Sequence, residues 1–549
     1  PRPLAAAHRL SHPHPVASPK NWRPCQNSSM TALPALSRKK LPIGIQTFAK
    51  LRDDGHYYVD KTGYAVELAQ SGNCYFLSRP RRFGKSLFLD TLKQMFEGKR
   101  SLFHGLVADE RWDWSRTHPV IRISLGGGVL KNRAALDERL GELLQDNQDR
   151  LGLSCTHTSL SGRFSQLIAQ AHAQTGQTAV VLVDEYDKPI LDNITDSAVA
   201  LDMREGLKDI YSVLKDADEH LRFVFITGVS KFSKVSLFSG LNHLEDITLD
   251  PRYSAICGYT DADVDTVFAP ELPGLDREEI RRWYNGYNWL GEGVYNPFDM
   301  LLLFDRREFK PYWFETGTPT FLVKLLAKAE TFTPDIGRLV ATETLLSTFD
   351  VDNIPPEALM FQAGYLTIDH VWRIPGRMEV TLKYPNLEVQ ASLNDSLLQY
   401  LVGNPSTPGP HIGRLYRLLQ AQDFTGLKTL FQAFFASIPH DWYRNSPIAQ
   451  FEGYWASIFY SHFAALGLDI RLEDTTNKGR IDMAVLFNAQ VFVFEFKVVE
   501  LVPQGRALQQ IKDMGYADKY RDRGEPIHLV GVEFSKNDRN IVGFEVETA

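Results

Sequence analysis

The sequence predicts a mixed α/β protein with two separate sheets, and three segments support that prediction. Residues 74–77 form an apolar run that leads through a basic loop into a helical pattern. Residues 180–183 form a second apolar run, which ends in two carboxylates. Near the C-terminus, residues 481–487 and 490–497 are apolar runs separated by two residues. Strands alternating with helices indicate a parallel sheet, whereas a two-residue connection indicates an antiparallel hairpin.

The loop after the first apolar run has the features of a phosphate-binding loop. It reads Arg-Pro-Arg-Arg-Phe-Gly-Lys-Ser over residues 79–86. The helical stripe that follows contains Phe88, Leu92, Met95 and Phe96. In this strand–loop–helix context, backbone N–H groups at the helix N-terminus cradle phosphates, a lysine reaches the β- and γ-phosphates, and a serine ligates Mg²⁺. The residues expected to bind the nucleotide are Arg82, Phe83, Gly84, Lys85 and Ser86.

One position departs from the usual pattern of such loops, because Arg79 stands where the first glycine is normally found. A basic loop with a fortuitous Gly-Lys-Ser is therefore the alternative interpretation. The second apolar run makes that alternative less attractive, since it ends in Asp184 and Glu185. At the carboxyl end of a parallel strand, Asp184 is expected to hold Mg²⁺ and Glu185 to polarise the attacking water.

A third strand is predicted at residues 221–228, and it contains Thr227 near its end. This hydroxyl is either a catalytic sensor of the γ-phosphate or part of an ordinary strand end. The stretch before this strand places four apolar side chains at helical spacing: Leu207, Ile210, Tyr211 and Leu214. This alternation of strands and helices again indicates a parallel α/β sheet.

The C-terminal hairpin combines charge with an apolar strand. Glu495 and Lys497 share one face of the strand, because side chains alternate along it. With a turn at residues 488–489, Asp482 lies opposite Glu495, at a Cβ separation of about 5 Å. Two carboxylates at this spacing can share a divalent cation, and a nearby lysine can assist the attacking water. The alternative is a buried Glu–Lys ion pair with Asp482 at the hairpin rim.

These motifs resemble known families. The Asp482, Glu495 and Lys497 arrangement resembles the core of PD-(D/E)XK nucleases. Residues 41–250 resemble the AAA-ATPase-like domain that is found fused to such a nuclease-like domain, in which Arg-Pro-Arg-Arg-Phe-Gly-Lys is the usual loop. The segments that carry this second resemblance are 41–48, 58–62, 79–86, 183–189, 227–242, 283–287, 295–298, 312–319 and 384–389.

The resemblance implies a P-loop NTPase (AAA-like) parallel sheet with a helical lid or connector, followed by a C-terminal α/β restriction-endonuclease-like domain. The expected segments are a disordered basic leader at 1–40, the ATPase-like domain at 41–250, the lid and connector at 251–435, and the nuclease-like domain at 436–549. The implied cofactors are ATP and Mg²⁺, with Mn²⁺ as a substitute at the nuclease site. The implied partner is DNA or RNA.

The implied function is ATP hydrolysis coupled to metal-dependent cleavage of nucleic-acid phosphodiesters. The expected catalytic residues are Glu185, Thr227, Asp482, Glu495 and Lys497, and the expected metal ligands are Ser86, Asp184, Asp482 and Glu495. The alternative is an ATPase switch whose nuclease-like domain only binds nucleic acid or a protein partner.

Several further positions are implied by the resemblance, each with an ordinary structural alternative. Near the nuclease-like site they are Glu452, Gln510, Lys512 and Tyr516. AAA proteins form homo-oligomers in which a neighbouring subunit supplies an arginine finger, and the candidates here are Arg222, Arg252, Arg281 and Arg282. The aromatic motifs at 283–287 and 312–314 are interpreted as a core between subdomains rather than as a ligand face.

Composition sets outer limits on these interpretations. The chain has 549 residues, a net charge of −7 and four widely spaced cysteines, so it is not a generally basic nucleic-acid binder and has no evident disulfide framework. No apolar run approaches the roughly 20 residues that span a bilayer, and a reducing cytoplasm is the expected compartment. Residues 1–40 contain seven basic and no acidic residues. They resemble a transit peptide, but we favour the interpretation that translation starts at Met30.

Overall fold

The fold of the protein is given by a computed structural model. It describes residues 38–231, 237–238, 243–316, 322, 326, 336, 339–343, 346, 354–402, 408–437 and 452–549. The predictions for the basic leader therefore lie outside the described residues, except at its last three positions. Among the helices in the described ranges, none is long and apolar enough to cross a membrane.

Five parallel strands form the first sheet, in the order β2-β3-β4-β1-β5. Their bounds are Cys74–Ser78 (β1), Val120–Ser124 (β2), Ala179–Asp184 (β3), Leu221–Gly228 (β4) and Glu245–Asp246 (β5). β1 and β3 are buried along their whole length, as is typical of parallel strands covered on both faces. The three strands predicted from apolar runs are thus confirmed.

Helices connect these strands. Their bounds are Phe48–Asp53 (α1), Thr62–Ser71 (α2), Lys85–Phe96 (α3), Val107–Arg111 (α4), Arg133–Leu151 (α5), Leu160–Thr175 (α6), Lys188–Leu191 (α7) and Ser197–Asp216 (α8). The apolar stripes predicted on α3 and α8 are buried, so the helical spacing in the sequence does mark their core-facing sides.

The connecting region contains helices and, in addition, a small sheet. The helices are Asp261–Val267 (α9), Arg277–Tyr284 (α10), Pro297–Arg306 (α11), Tyr312–Glu315 (α12), Pro356–Ala363 (α13), Leu387–Val402 (α14), Pro408–Gln420 (α15) and Phe424–Ser437 (α16). The antiparallel strands are Val340–Thr342 (β6), Thr367–Ile374 (β7) and Arg377–Lys383 (β8), in the order β6-β8-β7.

The structure corrects one expectation for this region. The region is not wholly helical, because β7 and β8 form a hairpin around Pro375 and Gly376, a turn-forming pair in the sequence. α15 begins at Pro408, because proline is tolerated in the first turn of a helix. Residues 403–407 lie outside the described residues.

The C-terminal sheet has the order β13-β12-β11-β10-β9 and is preceded by the helix Glu452–Ala465 (α17). Its strands are Asp469–Thr475 (β9), Arg480–Phe487 (β10), Gln490–Val499 (β11), Ile527–Ser535 (β12) and Asn540–Thr548 (β13). The helix Arg506–Asp513 (α18) joins β11 to the parallel strand β12, and the remaining neighbours are antiparallel. This is the mixed α/β domain that the hairpin predicted.

The predicted hairpin register is confirmed, because Phe487 pairs with Gln490. The two turn residues Asn488 and Ala489 have φ values of 52° and 55°, as a tight hairpin turn requires. The two faces of β11 pack separately. Phe492, Phe494 and Phe496 belong to the core that contains α17, whereas Val491 and Val493 belong to the core beneath α18.

Candidate functional site

The basic loop lies between β1 and α3, as the sequence predicted. Gly84 adopts a φ of 95° immediately before α3, and Lys85 and Ser86 form the first turn of that helix. The free N–H groups of a helix N-terminus attract anions such as phosphate. The Lys85 ammonium is buried and donates to the carbonyl oxygens of Arg79 and Pro80, both at 2.9 Å. Burial lowers the pKa of Lys85.

Arg79 anchors this loop to the neighbouring connector. Its guanidinium is fully buried and donates to the carbonyl oxygens of Ser78, Thr248 and Tyr253. It also lies 4.1 Å from the centre of the Trp289 ring. Burial lowers the pKa of Arg79 to about 10. The side chain that replaces the usual glycine therefore has a structural role.

Arg82 and Phe83, the two candidates just before Gly84, have side chains in different environments. Arg82 is exposed and has a φ of 67°, and its guanidinium lies 5.2 Å from the centre of the Phe298 ring. The Phe83 side chain is buried against the Tyr287 ring, with 4.7 Å between ring centres. Only the backbone of Phe83 is thus available to a nucleotide. These contacts also agree with the prediction that the aromatic motif around Tyr287 forms a core.

Asp184 and Glu185 stand at the carboxyl end of β3, close enough to Lys85 for their charges to raise the pKa that its burial lowers. Asp184 is buried, and its Oδ1 atom has no hydrogen-bond partner among the described residues. Its Oδ2 atom lies 3.9 Å from Arg122 Nη2. A buried carboxylate oxygen without a donor fits a Mg²⁺ ligand. Burial first, and the charge of Asp184 second, raise the pKa of Glu185.

Thr227 lies beside this site, but its hydroxyl is already engaged. The side chain is fully buried and donates to the Leu77 carbonyl oxygen at 2.9 Å, across the β1–β4 pair. This contact favours the interpretation as an ordinary strand end over the sensor interpretation.

Asp187 is a residue whose connecting role the sequence did not predict. Its carboxylate accepts from the backbone N–H groups of Val229 and Ser230 and from the Ser230 hydroxyl. It therefore ties the segment after β3 to the segment after β4. A Cβ atom on Gly228 would lie 2.4 Å from Asp187 Oδ1, so only glycine allows this approach. A third carboxylate within four residues, after Asp184 and Glu185, was the signal available in the sequence.

The second candidate site lies on the C-terminal hairpin. The last pair of the β10–β11 register is Met483 with Phe494, and continuing this register sets Asp482 opposite Glu495. Asp482 Oδ2 accepts from the Phe496 backbone N–H at 2.9 Å. Lys497 Nζ donates to Glu495 Oε1 at 3.0 Å, and Glu495 is fully buried. The structure thus brings the three predicted residues together, and the Glu–Lys ion pair is present as well.

This donor set fits a hard divalent cation, because Mg²⁺ and Mn²⁺ prefer carboxylate oxygens. Within the described ranges, no group of three or more His, Cys, Asp or Glu side chains has the arrangement of a metal site. A divalent cation here would be held by Asp482 and Glu495. The side chain of Glu452, a further acidic candidate, lies outside the described residues.

α18 covers this site. Two of the other candidates reach the site, and one points away from it. Gln510 Nε2 donates to Glu495 Oε1. Tyr516 is buried nearby, and its pKa is raised by burial first and also by the charges of Glu495 and Asp482. Lys512 points elsewhere, because its Nζ lies 2.7 Å from Glu547 Oε2. Gln510 and Tyr516 therefore reach the site, whereas Lys512 fits the ordinary structural alternative.

Two residues of β12 that the sequence did not single out hold α18 in place. Gly531 pairs with Glu495, and a Cβ atom on it would lie 2.3 Å from the Leu508 backbone nitrogen. Glu533 is buried, and its carboxylate accepts from four consecutive backbone N–H groups at the start of α18: those of Gln504, Gly505, Arg506 and Ala507. A buried Glu in an apolar strand was the signal for Glu533, the same signal that identified Glu495.

The four arginine-finger candidates all contact their own chain. Arg222 donates to the Ala69 carbonyl, Arg252 pairs with Asp250, and Arg281 pairs with Asp261. Arg282 donates to the Gly467 carbonyl at 2.7 Å, which connects α10 to the C-terminal domain.

The protein combines a loop of the nucleotide-binding type on a parallel sheet with a C-terminal hairpin that carries paired carboxylates. These two features define a two-domain class of protein. Residues 42–238 match the family described as predicted AAA-ATPase, and residues 450–544 match the PD-(D/E)XK nuclease superfamily. The chain is 65% identical over 514 residues to "Uncharacterized protein in vnfD 5'region" of Azotobacter chroococcum mcd 1, a match covering 93% of this chain and 100% of that protein. The chain belongs to the family that joins an AAA-ATPase-like domain to a C-terminal PD-(D/E)XK nuclease domain.

Proposed function

We propose that the protein hydrolyses ATP and couples this reaction to metal-dependent cleavage of nucleic-acid phosphodiesters. The observation that carries the proposal is the pairing, on one chain, of Asp482 with Glu495 beside Lys497 and of a Lys85 loop with carboxylates at the end of β3. In this proposal residues 41–250 bind and hydrolyse ATP, residues 251–435 form the lid and connector, and residues 436–549 cleave the nucleic acid.

In the ATP site, each residue has a role that follows from its position. The backbone of Arg82, Phe83 and Gly84 binds phosphate oxygens, and Lys85 exchanges its two carbonyl acceptors for them. Ser86 and Asp184 would hold Mg²⁺, which neutralises charge on the phosphates when bound. Glu185 orients the attacking water and accepts its proton, and its raised pKa suits it to that task.

In the nuclease site, Asp482 and Glu495 would hold Mg²⁺ or Mn²⁺, which lowers the pKa of a bound water when present. Lys497 stabilises negative charge that develops on the phosphate. The Gln510 amide orients the Glu495 carboxylate, which it already contacts. The buried environment of Glu495 strengthens each of these electrostatic interactions.

The decisive experiment incubates the purified protein with single- and double-stranded DNA and RNA, with Mg²⁺ or Mn²⁺, with and without ATP. Glu495→Ala is the test variant, and Glu547→Ala, an exposed carboxylate on β13, is the matched control. We expect metal-dependent cleavage that is lost in the first variant and retained in the second. Absence of cleavage of every substrate by the wild-type protein, with intact ATPase activity, would reject the nuclease.

A second candidate function is an ATPase switch whose C-terminal domain only binds nucleic acid or a protein partner. The specific observation in its favour is the direct Lys497–Glu495 ion pair, which neutralises one of the two carboxylates internally. Nucleic-acid binding that survives Asp482→Ala, without cleavage by the wild type, would support this candidate. Nucleotide-dependent association into a homo-oligomer fits both candidates.

A further inference from the structure

Trp313 joins the phosphate-binding loop to the connector. Its indole Nε1–H donates to the Arg81 carbonyl oxygen at 3.0 Å, inside the loop. A Cβ atom on Gly364 would lie 2.7 Å from the Pro80 ring and 3.4 Å from the Trp313 ring, so these groups pack without space between them. Trp313 is buried, and it is a residue to which the proposed ATP site assigns no task.

The backbone of Trp313 is held by two buried carboxyl groups. Its N–H donates to Asp299 Oδ1 at 2.7 Å and to Glu388 Oε1 at 2.9 Å, and Glu388 Oε1 also accepts from the Phe314 N–H at 3.1 Å. The other oxygen of each carboxyl has no donor among the described residues. Two such groups remain buried together only if one keeps a proton. Glu388 lies in the first turn of α14.

α14 continues from this junction to the C-terminal domain. Leu387, its first residue, packs closely on Gly467, where a Cβ atom would lie 2.6 Å from Leu387 Cδ1. Leu398, further along the helix, shares a core with Phe459 of α17. The Phe459 ring is 5.2 Å from the ring of Phe496, the residue between Glu495 and Lys497 on β11.

Phosphate binding should change the hydrogen bonds that hold the loop. Lys85 Nζ now bonds to the carbonyls of Arg79 and Pro80, which immediately precede the Arg81 carbonyl that Trp313 binds. A phosphate oxygen competes for the same ammonium protons. A ligand shifts a conformational equilibrium only when it binds one conformation better than the other. A phosphate that replaces these carbonyl bonds meets this condition, because it favours one arrangement of the loop.

We propose that Trp313 positions the phosphate-binding loop and transmits its nucleotide state, through Asp299, Glu388 and α14, to the strand that carries Glu495. This inference rests on the proposed function and deepens it by naming the connection between the two sites. Trp313 acts through other residues, so it is a positioning residue and not a catalytic one.

The test measures backbone hydrogen exchange of the full chain with and without magnesium and a non-hydrolysable ATP analogue. The variant is Trp313→Phe, which keeps an aromatic ring and removes the Nε1–H donor. The control is Trp112→Phe, because the Trp112 indole N–H has no hydrogen-bond partner among the described residues. In the wild type and the control, the nucleotide should slow exchange in the loop, in the first turns of α14 and in β11.

In Trp313→Phe we expect the loop to respond while α14 and β11 do not. The KM for ATP should rise roughly two- to tenfold, the effect of one lost hydrogen bond, with a smaller change in kcat. A wild-type loop that responds without α14, or a Trp313→Phe protein that responds like the control, would overturn the inference and leave the ATPase proposal standing. A wild-type loop that does not respond to nucleotide would instead reject the proposed ATP site, and the inference with it.

Discussion

At the residue scale, the molecule buries carboxylates in two different ways. Glu495 is buried beside a cationic partner, Lys497, and an amide donor, Gln510. Asp299 and Glu388 are instead buried against each other. The first arrangement balances a negative charge with a positive one, whereas the second retains a proton.

The paired acids should make stability depend on pH. Burial raises the pKa of Glu388 from 4.5 to about 7, and that of Asp299 also rises. The folded chain therefore binds more protons than the unfolded chain in this range, so the free energy of unfolding should fall as the pH rises from 4.5 to about 7. Denaturant melts should show this slope in the wild type and a flatter one in Asp299→Asn. Asp305→Asn, an exposed site on the same helix, should keep the wild-type slope.

Glu185 should be separable from nucleotide binding. We expect Glu185→Gln to bind ATP normally and to hydrolyse it about 10²–10⁴-fold more slowly, because the amide cannot accept a proton from water. Nucleotide binding and phosphate release measure the two properties independently. Glu219→Gln, at an 82% exposed side chain, is the control. Equal loss of binding and hydrolysis in Glu185→Gln would contradict the assigned role.

Site residues could be predicted where one local pattern contained them. Glu495 was recognisable as a charge inside an apolar strand, and Asp482 followed from the hairpin register. Asp299 and Glu388 lie on different helices, and no local pattern in the sequence joins them. For Thr227, the local pattern alone was not sufficient. Its position at a strand end fits a sensor, but its hydroxyl donates to the Leu77 carbonyl oxygen.

At the element scale, α18 is the structure on which the nuclease-like site most depends. It is held at its start by Glu533 and pressed against β12 at Gly531, directly beside Glu495. Both contacts fix the distance between Gln510 and Glu495. α18 ends at Asp513 and is followed by a 3₁₀ turn at Tyr516–Arg523, because Gly515 adopts a φ of 60° between them.

A methyl group at Gly531 should separate α18 from the sheet. We expect Gly531→Ala to lower the free energy of unfolding by about 1–3 kcal/mol and to abolish cleavage, since the added Cβ meets the Leu508 backbone. Urea denaturation and the nuclease assay measure these effects. Gly413→Ala on α15 is the control, because its nearest neighbour would lie 3.7 Å away. Unchanged stability in Gly531→Ala would show that α18 does not approach β12 so closely.

At the scale of the whole molecule, strands with strong apolar runs predicted the two five-stranded sheets, whereas strands with weak apolar patterns were missed. β2 carries Arg122 in its middle and β5 has only two residues, so neither forms a clear apolar run. The small sheet of β6, β7 and β8 was missed for a related reason: the outer half of its hairpin is exposed, and Trp372 there is 61% accessible. Such strands bury too little surface to leave a clear pattern.

Coupling between the two domains is a property of the entire chain. If ATP binding gates the nuclease site, Lys85→Ala should remove the effect of saturating ATP on cleavage while leaving the metal-dependent chemistry in place. Lys50→Ala, at an exposed site on α1, should keep the wild-type response. Cleavage rates at saturating ATP provide the comparison. A Lys85→Ala rate equal to that of the wild type would refute coupling.

The anchoring of Arg79 has a consequence for how this family can diverge. The guanidinium stacks on Trp289 and bonds to the backbone of Thr248 and Tyr253, so replacing the arginine alone would leave three buried carbonyls and an indole face without their partner. A glycine at this position would become tolerable only after the surface around Trp289 had been rebuilt. Homologues should therefore exchange Arg79 and Trp289 together, and lineages that have changed only one of the two should be rare.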